Sequence, residues 1–204
     1  MIKAKHPLYP LFKWLMRLLL KRHFHDVSLE GEFVDRGTAV LVIANHVSWW
    51  DGFWVEYLNQ QRLHRRLHFM MLEEQLRKHW YFQYTGGFSV RKHSREVLQS
   101  MDYTLALLQR NDHVVLLFPQ GEIQSAYLER FRFQKGIQYI LNRCPADTQV
   151  LFVANLTDYF SDIKPTLFVY FQSYSVADLK KLGPEAAYNL FYTNSVNRQK
   201  NKSS

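Results

Sequence analysis

The sequence predicts an α/β fold with a mixed, mostly parallel central sheet flanked by helices. Short apolar runs rich in β-branched residues alternate along the chain with longer segments of helical periodicity, which is the pattern of α/β domains. With 204 residues, of which 47% are hydrophobic and 22% charged, the chain is long enough to bury a sizeable core in one domain. No internal repeat, low-complexity segment or interdomain linker interrupts it.

The predicted strands are the continuous apolar runs. Residues 39–44 and 114–118 are apolar throughout, as expected of strands that are buried on both faces. Gly31 and the turn-forming residues 35–38 lead the chain into the first of these runs. Further strands are predicted over 67–72, 88–91, 149–154 and 166–171.

The predicted helices carry apolar residues three and four positions apart. The clearest one spans 94–110, where Val97, Met101, Leu105 and Leu108 fall on one side. Other helices are predicted over 52–60, 73–80, 133–142 and 184–196.

Residues 7–24 are predicted to form an amphipathic helix. The bases Lys13, Arg17 and Lys21 recur every fourth position as one stripe. The other side is apolar and consists of Leu11, Trp14, Leu15, Leu18 and Leu19. The segment is too charged to span a membrane, and no cleavage site of a secretory signal follows it. We therefore predict a membrane-interface helix within residues 1–30, at the cytoplasmic face, followed by an α/β domain over 31–198 and a disordered tail over 199–204. A helix docked on the domain with solvated bases is the alternative.

The charge and the cysteine content restrict the partners and cofactors. Basic residues outnumber acidic ones by 26 to 18, and the net charge of +8 favours anionic partners such as a membrane surface, a phosphorylated substrate or nucleic acid. The basic run 62–68 has no recognisable nucleic-acid-binding module around it, so we do not expect nucleic acid to bind. The single cysteine, Cys144, excludes an internal disulfide and a cysteine-based zinc site, and it fits a reducing compartment. No histidine pair has an evident third ligand, so no metal is expected.

The functional prediction begins where the first core strand ends, because ligands of open α/β sheets bind at the carboxyl ends of strands. Residues 45–51 read Asn-His-Val-Ser-Trp-Trp-Asp. On an ideal helix of about 3.6 residues per turn, positions five apart lie roughly 140° from each other, so His46 and Asp51 face one another only if the backbone bends between them. A loop at His46 that enters a helix near Ser48 supplies this bend. Asp51 then accepts the Nδ1 hydrogen of His46, which leaves Nε2 free as a base. Taken alone, Ser48 and Asp51 also fit a helix capping box.

Two later strand ends carry complementary chemistry. Residues 87–91 end in a cation, and residues 119–122 form a glycine-bearing polar loop. A base with an orienting carboxylate, a cation for a phosphate and a loop that stabilises an oxyanion together suit the transfer of an acyl group to a hydroxyl.

Four segments resemble, in order and spacing, the signatures of the glycerolipid acyltransferases, the lysophosphatidic acid acyltransferase superfamily. Asn-His-x4-Asp at 45–51 resembles the first signature, and Gly-Phe-Ser-Val-Arg at 87–91 resembles the second. Phe-Pro-Gln-Gly at 118–121 resembles the third, and Phe-Gln-Lys-Gly at 133–136 resembles the element that follows it. A His-x4-Asp alone is a weak signal, whereas four blocks in the right order are fairly specific.

The resemblance implies a role for each motif residue. His46 is expected to be the general base, Asp51 to orient it and Arg91 to contact a phosphate or polar head of the substrate. The substrate-binding residues that it implies are Asn45, Ser48, Gly87, Phe88, Arg91, Pro119, Gln120, Gly121, Glu122 and Lys135. The implied acyl donor is acyl-CoA or acyl carrier protein, with no metal or redox cofactor.

The third block departs from the family pattern in a way that leaves the acceptor open. Gln120 stands where glutamate is usual, and Glu122 and Ile123 stand where a threonine and an arginine are usual. In the family that arginine is associated with the acceptor's phosphate. The prediction is therefore a membrane-associated O-acyltransferase that acts on a lysophospholipid, glycerol phosphate or another lipid alcohol. The alternative is a non-catalytic protein that binds lipid or acyl carrier on the same scaffold.

Overall fold

The computed structural model describes residues 1–91 and 96–203. Within them, seven strands form one sheet in the order β1-β7-β6-β2-β5-β3-β4. The strands are β1 Val27–Glu30, β2 Val40–Ala44, β3 Arg66–Leu72, β4 Gly87–Val90, β5 His113–Leu117, β6 Gln149–Asp158 and β7 Thr166–Ser175. The α-helices are α1 Tyr9–His23, α2 Asp51–Leu58, α3 Glu73–Lys78, α4 Val97–Leu107, α5 Gly136–Arg143, α6 Val176–Leu182 and α7 Pro184–Lys200. A π-helical turn, Asn59–Leu63, extends α2, and a 3₁₀ helix, Trp80–Thr85, precedes β4.

The sheet is mixed and mostly parallel, as the sequence predicted. Strands β6 and β7 pair antiparallel, and every other neighbouring pair among the described strands is parallel. β2 is central and fully buried, with Ala44 opposite Val153 of β6 and Ile43 opposite Leu117 of β5. The carboxyl ends of β2, β5 and β6 therefore lie side by side at one edge of the sheet, where α/β proteins bind ligands.

Helices cover both faces of the sheet. α1 and α2 pack on one face, where Met16, Leu20 and Trp54 contact the inward side chains of the strands. α4, α5, α6 and α7 cover the other face around Phe152 and Tyr188. The continuous apolar composition of β2 and β5 follows from this arrangement, because both of their faces are buried.

The N-terminal helix α1 docks on the domain and yet keeps its apolar stripe outside. Its contact with α2 rests on Met16 and Leu20, and the Tyr9 hydroxyl donates a hydrogen bond to the buried Glu56 (2.8 Å). Two residues of the predicted basic stripe face the domain: Arg17 Nε donates to Gln60 (2.6 Å), and burial raises the pKa of Glu56 while the charge of Lys13 acts to lower it. The side chains exposed on the opposite side are Leu11, Trp14, Leu15 and Leu18, with Lys21 and Arg22 beside them. The basic stripe, not the apolar one, thus provides part of the docking contact.

The structure departs from the predicted boundaries at both ends of the chain. Residues 27–30, predicted to belong to the N-terminal segment, form edge strand β1 and pair with β7, since a four-residue half-buried strand leaves little periodic signal. The tail predicted as disordered over 199–204 is ordered through its described residues. Tyr170 donates to Gln199 (2.8 Å), Gln199 donates to Asp158 (2.6 Å), and Lys202 pairs with Glu30. These tertiary contacts, which local composition does not encode, hold the end of α7 on the sheet.

Candidate active site

The turn between β2 and α2 brings His46 and Asp51 together. β2 ends at Ala44, α2 begins at Asp51, and the backbone bends between them as predicted. His46 Nδ1 donates to Asp51 Oδ2 (2.9 Å), and the same oxygen accepts from the backbone N–H groups of Val47 (2.7 Å) and Ser48 (2.8 Å). Because Nδ1 is the donor, the lone pair of the neutral imidazole lies on Nε2. The imidazole side chain is 22% exposed, whereas that of Asp51 is fully buried, so the base meets solvent and its partner does not.

Burial dominates the electrostatics of the carboxylate. It raises the pKa of Asp51, while the hydrogen bonds from His46, Ser48 and Val47 act in the opposite direction. Three donors on one oxygen fix the carboxylate and, through it, the plane of the imidazole. The capping box that the sequence allowed is not formed, because α2 begins at Asp51 with Trp50 as its N-cap and has no side-chain capping bond; the contact of Asp51 with the Ser48 amide orders the preceding turn instead.

The ring of Phe118 packs against one face of the His46 imidazole. The rings of His46 and Phe118 are stacked, with centroids 4.0 Å apart and planes inclined by 12°. Phe118 immediately follows β5, the strand beside β2, so the stack follows from strand order. The sequence analysis did not place Phe118 in the site, although its position at a strand end inside the third block is the signal that identifies it.

Gln120 holds the backbone of His46. Its Oε1 accepts from the His46 N–H (2.7 Å), and its Nε2 donates toward the His46 carbonyl (3.4 Å) and to Gln124 Oε1 (3.1 Å). The Gln120 side chain is buried, so it positions His46 and does not present its amide to a substrate in this conformation. An amide suits this place because it both donates and accepts.

The rest of the third block builds the loop around this contact. Gly121 has φ +73°, a left-handed conformation that favours glycine, and its N–H donates to the Phe118 carbonyl (3.1 Å). The buried Pro119 accepts from the Gln134 N–H through its carbonyl (2.8 Å), while Glu122 is exposed. The Gly121 amide is thus occupied within the loop and does not serve as an oxyanion donor in this conformation.

Asn45 and Ser48 lie in the motif but are engaged by the protein itself. Asn45 is fully buried; its Nδ2 donates to the Asn155 carbonyl (3.0 Å), and its Oδ1 accepts from the Asn155 N–H (2.8 Å). Asn45 therefore ties β2 to β6 just past their last paired residues, which differs from the substrate contact that was expected. Ser48 Oγ accepts from the Trp50 N–H (3.2 Å) and stabilises the turn.

The second block supplies a strand and one exposed cation. Gly87 and Phe88 are buried in β4, where a Cβ on Gly87 would come within 2.8 Å of the Phe82 carbonyl oxygen. Both are therefore packing residues, unlike the substrate contacts expected of them. Arg91 is exposed, but β3 and β5 separate its strand from β2, a distance of roughly 14 Å at the usual spacing of neighbouring strands. Lys135, also exposed, lies directly before α5.

Arg91 is already paired with carboxylates. It donates to Glu73 (2.7 Å) and to Glu96 (3.0 Å), and Ser89 also donates to Glu73 (3.2 Å). The Arg91 guanidinium is the main reason that the pKa of Glu73 is lowered to about 2. A phosphate at Arg91 competes with these two carboxylates. Lys92, which follows Arg91 in the sequence and could also contribute a positive charge, lies outside the described residues.

Exposed aromatic residues border the site on the side of α3. Trp49, within the motif, is partly exposed, and its ring centroid lies 5.6 Å from that of Phe82 and 4.9 Å from that of His79. Trp80 and Tyr81 are exposed next to them. Within residues 1–91 and 96–203, no group of three or more His, Cys, Asp or Glu side chains is arranged to hold a metal ion.

An α/β domain that presents an imidazole base, oriented by a buried carboxylate, at the carboxyl edge of its sheet has the architecture of a group-transfer enzyme. A family model described as Acyltransferase matches residues 26–155, well over half of the chain and all of the elements that form the site. The chain belongs to this acyltransferase family, and the resemblance to the glycerolipid acyltransferases is confirmed. No curated protein matches the sequence significantly.

Proposed function

We propose that this acyltransferase moves a fatty acyl group from acyl-CoA or acyl carrier protein to a hydroxyl of a lipid acceptor at a membrane surface. The observation that carries the proposal is the hydrogen bond of 2.9 Å between His46 Nδ1 and Asp51 Oδ2, which leaves Nε2 as the base on the solvent side. Stacking on Phe118 and the bonds from Gln120 to the His46 backbone hold the imidazole in place before substrate arrives.

In the proposed reaction, His46 Nε2 takes the proton of the acceptor hydroxyl as the hydroxyl oxygen attacks the thioester carbonyl. The tetrahedral intermediate collapses, the carbon–sulfur bond breaks, and the leaving thiolate receives the proton from the imidazolium. Asp51 stabilises the imidazolium while it exists. The products are the acylated acceptor and a free thiol, and His46 returns to its neutral form.

Membrane association is supported by the exposed side of α1. Trp14 is 62% exposed, and Leu11, Leu15 and Leu18 are exposed beside it, which is a large apolar surface for a protein in water. Lys21 and Arg22 lie next to this surface and suit an anionic lipid headgroup layer. No α-helix within the described residues is both long and apolar enough to cross a bilayer. At its carboxyl end the helix contacts Trp50, the neighbour of Asp51, through His23 and Phe24, so a lipid acceptor in the membrane lies near the base.

The acceptor class follows from the charges around the site. Arg91 is neutralised by Glu73 and Glu96, and Ile123 is exposed where the family has an arginine. These two features favour a lipid alcohol without a terminal phosphate over glycerol phosphate or lysophosphatidate.

The test is the release of free thiol from a long-chain acyl-CoA, and separately from acylated carrier protein, in the presence of acceptors with and without phosphate. We expect turnover with wild-type protein and a loss of about 10²–10⁴-fold in His46→Ala, the usual contribution of a general base. The matched control is His64→Asn. His64 is exposed, far from the motif, and adopts a left-handed conformation (φ +54°) that asparagine tolerates. Thiol release that is equal in wild type and His46→Ala contradicts the proposal, and binding of donor without any turnover supports the non-catalytic alternative.

A further inference from the structure

The hairpin between β6 and β7 projects past the carboxyl edge of the sheet. β6 pairs with β2 up to Val153 but continues with β7 to the pair Asp158 and Thr166. Five residues of strand at about 3.3 Å each carry the hairpin roughly 16 Å beyond the end of β2. The turn residues 159–165, defined here as the hairpin tip, therefore lie on the same edge as His46.

The hairpin tip exposes three large apolar side chains among its polar residues. Ile163 is 98% exposed, and Tyr159 and Phe160 are exposed as well. Phe160 adopts a left-handed backbone conformation (φ +45°), which is unfavourable for a bulky residue and is found mainly where function requires it. Asp162 and Pro165 are residue types that turns favour, whereas the exposed Tyr159, Phe160 and Ile163 are not explained by the needs of the turn.

The hairpin tip is joined to the end of α1. The His25 N–H donates to the Pro165 carbonyl (2.9 Å), and His25 Nδ1 lies 3.3 Å from Asp162 Oδ1. The residues that line the shallow depression between the two segments are Lys21, Phe24, His25, Ser161, Asp162, Ile163 and Lys164. Two apolar elements from distant parts of the sequence thus lie next to one another, with Lys21 and Lys164 between them.

We propose that the hairpin tip, with Ile163 as its anchor, inserts into the same anionic lipid surface as the exposed side of α1. This inference rests on the proposed membrane association and adds a second contact point to it. A single amphipathic helix leaves the domain free to roll about the helix axis, whereas two separated contacts fix the tilt of the carboxyl edge relative to the membrane. Lys21 and Lys164 outnumber Asp162 in the depression between the two elements, and this balance of charge favours anionic headgroups.

Site-specific labelling separates the two membrane contacts. Cys144 is buried and is the one cysteine of the sequence, so a Cys144→Ala variant has no other thiol that could react with the label. A polarity-sensitive fluorophore is attached at Ile163→Cys in the hairpin tip, at Leu15→Cys on the exposed side of α1, or at Leu190→Cys. Leu190 is 64% exposed on α7, which covers the opposite face of the sheet, and serves as the matched control.

With vesicles of phosphatidylcholine and phosphatidylserine, we expect a blue shift at positions 15 and 163 and none at 190. A shift at 15 alone overturns the hairpin inference and leaves the membrane proposal standing. A shift at 163 alone supports the hairpin and removes α1 from the interface, and no shift at either position overturns both. A shift at 163 that grows with protein concentration in the absence of vesicles identifies self-association and overturns the inference.

A second measurement uses binding strength. Ile163→Asp removes the burial of one isoleucine in lipid, so we expect binding to the same vesicles to weaken about tenfold or more, whereas Leu190→Asp leaves it unchanged. Both substitutions change exposed positions, and equal thermal unfolding midpoints check that the fold is intact. Equal vesicle binding by Ile163→Asp and wild type contradicts the inference.

Discussion

The carboxyl ends and the amino ends of the parallel strands, called here the carboxyl edge and the amino edge, place histidine in opposite environments. At the carboxyl edge, His46 has a carboxylate partner, a stacked ring and partial access to solvent. At the amino edge, His68 of β3 packs against His113 at the start of β5, with ring centroids 4.3 Å apart, and both are buried. Neither ring nitrogen of His68 has a hydrogen-bond partner among the described residues. The same side chain is a prepared base in one place and a neutral packing group in the other.

Burial accounts for the behaviour of the amino edge. It lowers the pKa of His68 to about 2, helped by the neighbouring His113, His6, Arg66 and Arg110, and it also lowers the pKa of His6 and of His113. A charge cannot be solvated there, so these imidazoles stay neutral. The comparison shows that partner and exposure, not residue type, distinguish the environment of His46 from that of His68.

Asp51→Asn is expected to have the largest effect on acyl transfer of the changes at the carboxyl edge. The three donors all bind Asp51 Oδ2, so the asparagine carbonyl oxygen can still accept from them, but the negative charge that stabilises the protonated imidazole is lost. We expect kcat/KM for acyl transfer to fall by about 10³–10⁴-fold, the scale seen when the carboxylate behind a catalytic histidine is lost. The control is Asp102→Asn, an exposed carboxylate on α4 that accepts from Tyr139. An Asp51→Asn enzyme within twofold of wild type contradicts the assigned role.

Gln120→Glu tests the positioning of the base at the same edge. Glutamate keeps the acceptor for the His46 N–H but loses the donor to the His46 carbonyl and to Gln124, and it adds a buried negative charge. We expect kcat to fall about tenfold with KM nearly unchanged, since transition-state positioning and not substrate binding is affected. The acidic limb of the pH–rate profile moves to higher pH because the added charge favours a protonated imidazole.

Two results decide that prediction. Gln138→Glu, an exposed change on α5, serves as the control and leaves both the rate and the pH profile unaltered. A rate loss in Gln120→Glu without any shift of the profile indicates general destabilisation, and the thermal unfolding midpoint then falls in parallel.

His68→Phe tests the amino edge and affects stability instead of activity. The native pKa of His68, about 2, lies below its ordinary value of 6.5, so the unfolded state binds the proton more readily between these values. Stability is therefore full above about pH 6.5 and decreases as the pH falls below it. Phenylalanine removes the titration, so we expect a smaller loss of the unfolding midpoint between about pH 7 and pH 5.

The acyl-transfer rate at neutral pH stays within twofold of wild type in this variant, because the amino edge lies away from the base. His64→Asn, at an exposed histidine, keeps the wild-type pH dependence of stability. An identical pH dependence in His68→Phe and wild type shows that His68 does not limit acid stability.

The parts of the fold that the sequence predicted are those with a local signal. β2 and β5 are continuous apolar runs, and residues 45–51 contain His46, Asp51 and the bend between them. The family resemblance indicated that the four motif segments belong together, which composition alone does not show. β1 was missed because four half-buried residues at a sheet edge have no distinctive period.

The roles of individual site residues were harder to predict, because they depend on what each side chain meets across the sheet. Gln120 was expected to contact substrate, but strand order places it against the His46 backbone. Phe118 was overlooked, since a phenylalanine at the end of an apolar strand looks like core until its neighbour is known. On α1, the sequence identified the apolar stripe but not which side docks, because Tyr9 and Arg17 find partners that only the tertiary structure supplies.

The strand order also determines when the protein can fold during its synthesis. β1 pairs with β7, and β2 pairs with β6. Strands from the first quarter of the chain can therefore pair only after the last third has been synthesised. Long-range pairing of this kind raises contact order and slows folding. While translation continues, α1 and its leucines have left the ribosome, but the sheet that receives them is incomplete. The buried residues Met16 and Leu20 of α1 therefore stay uncovered until β6 and β7 have been synthesised.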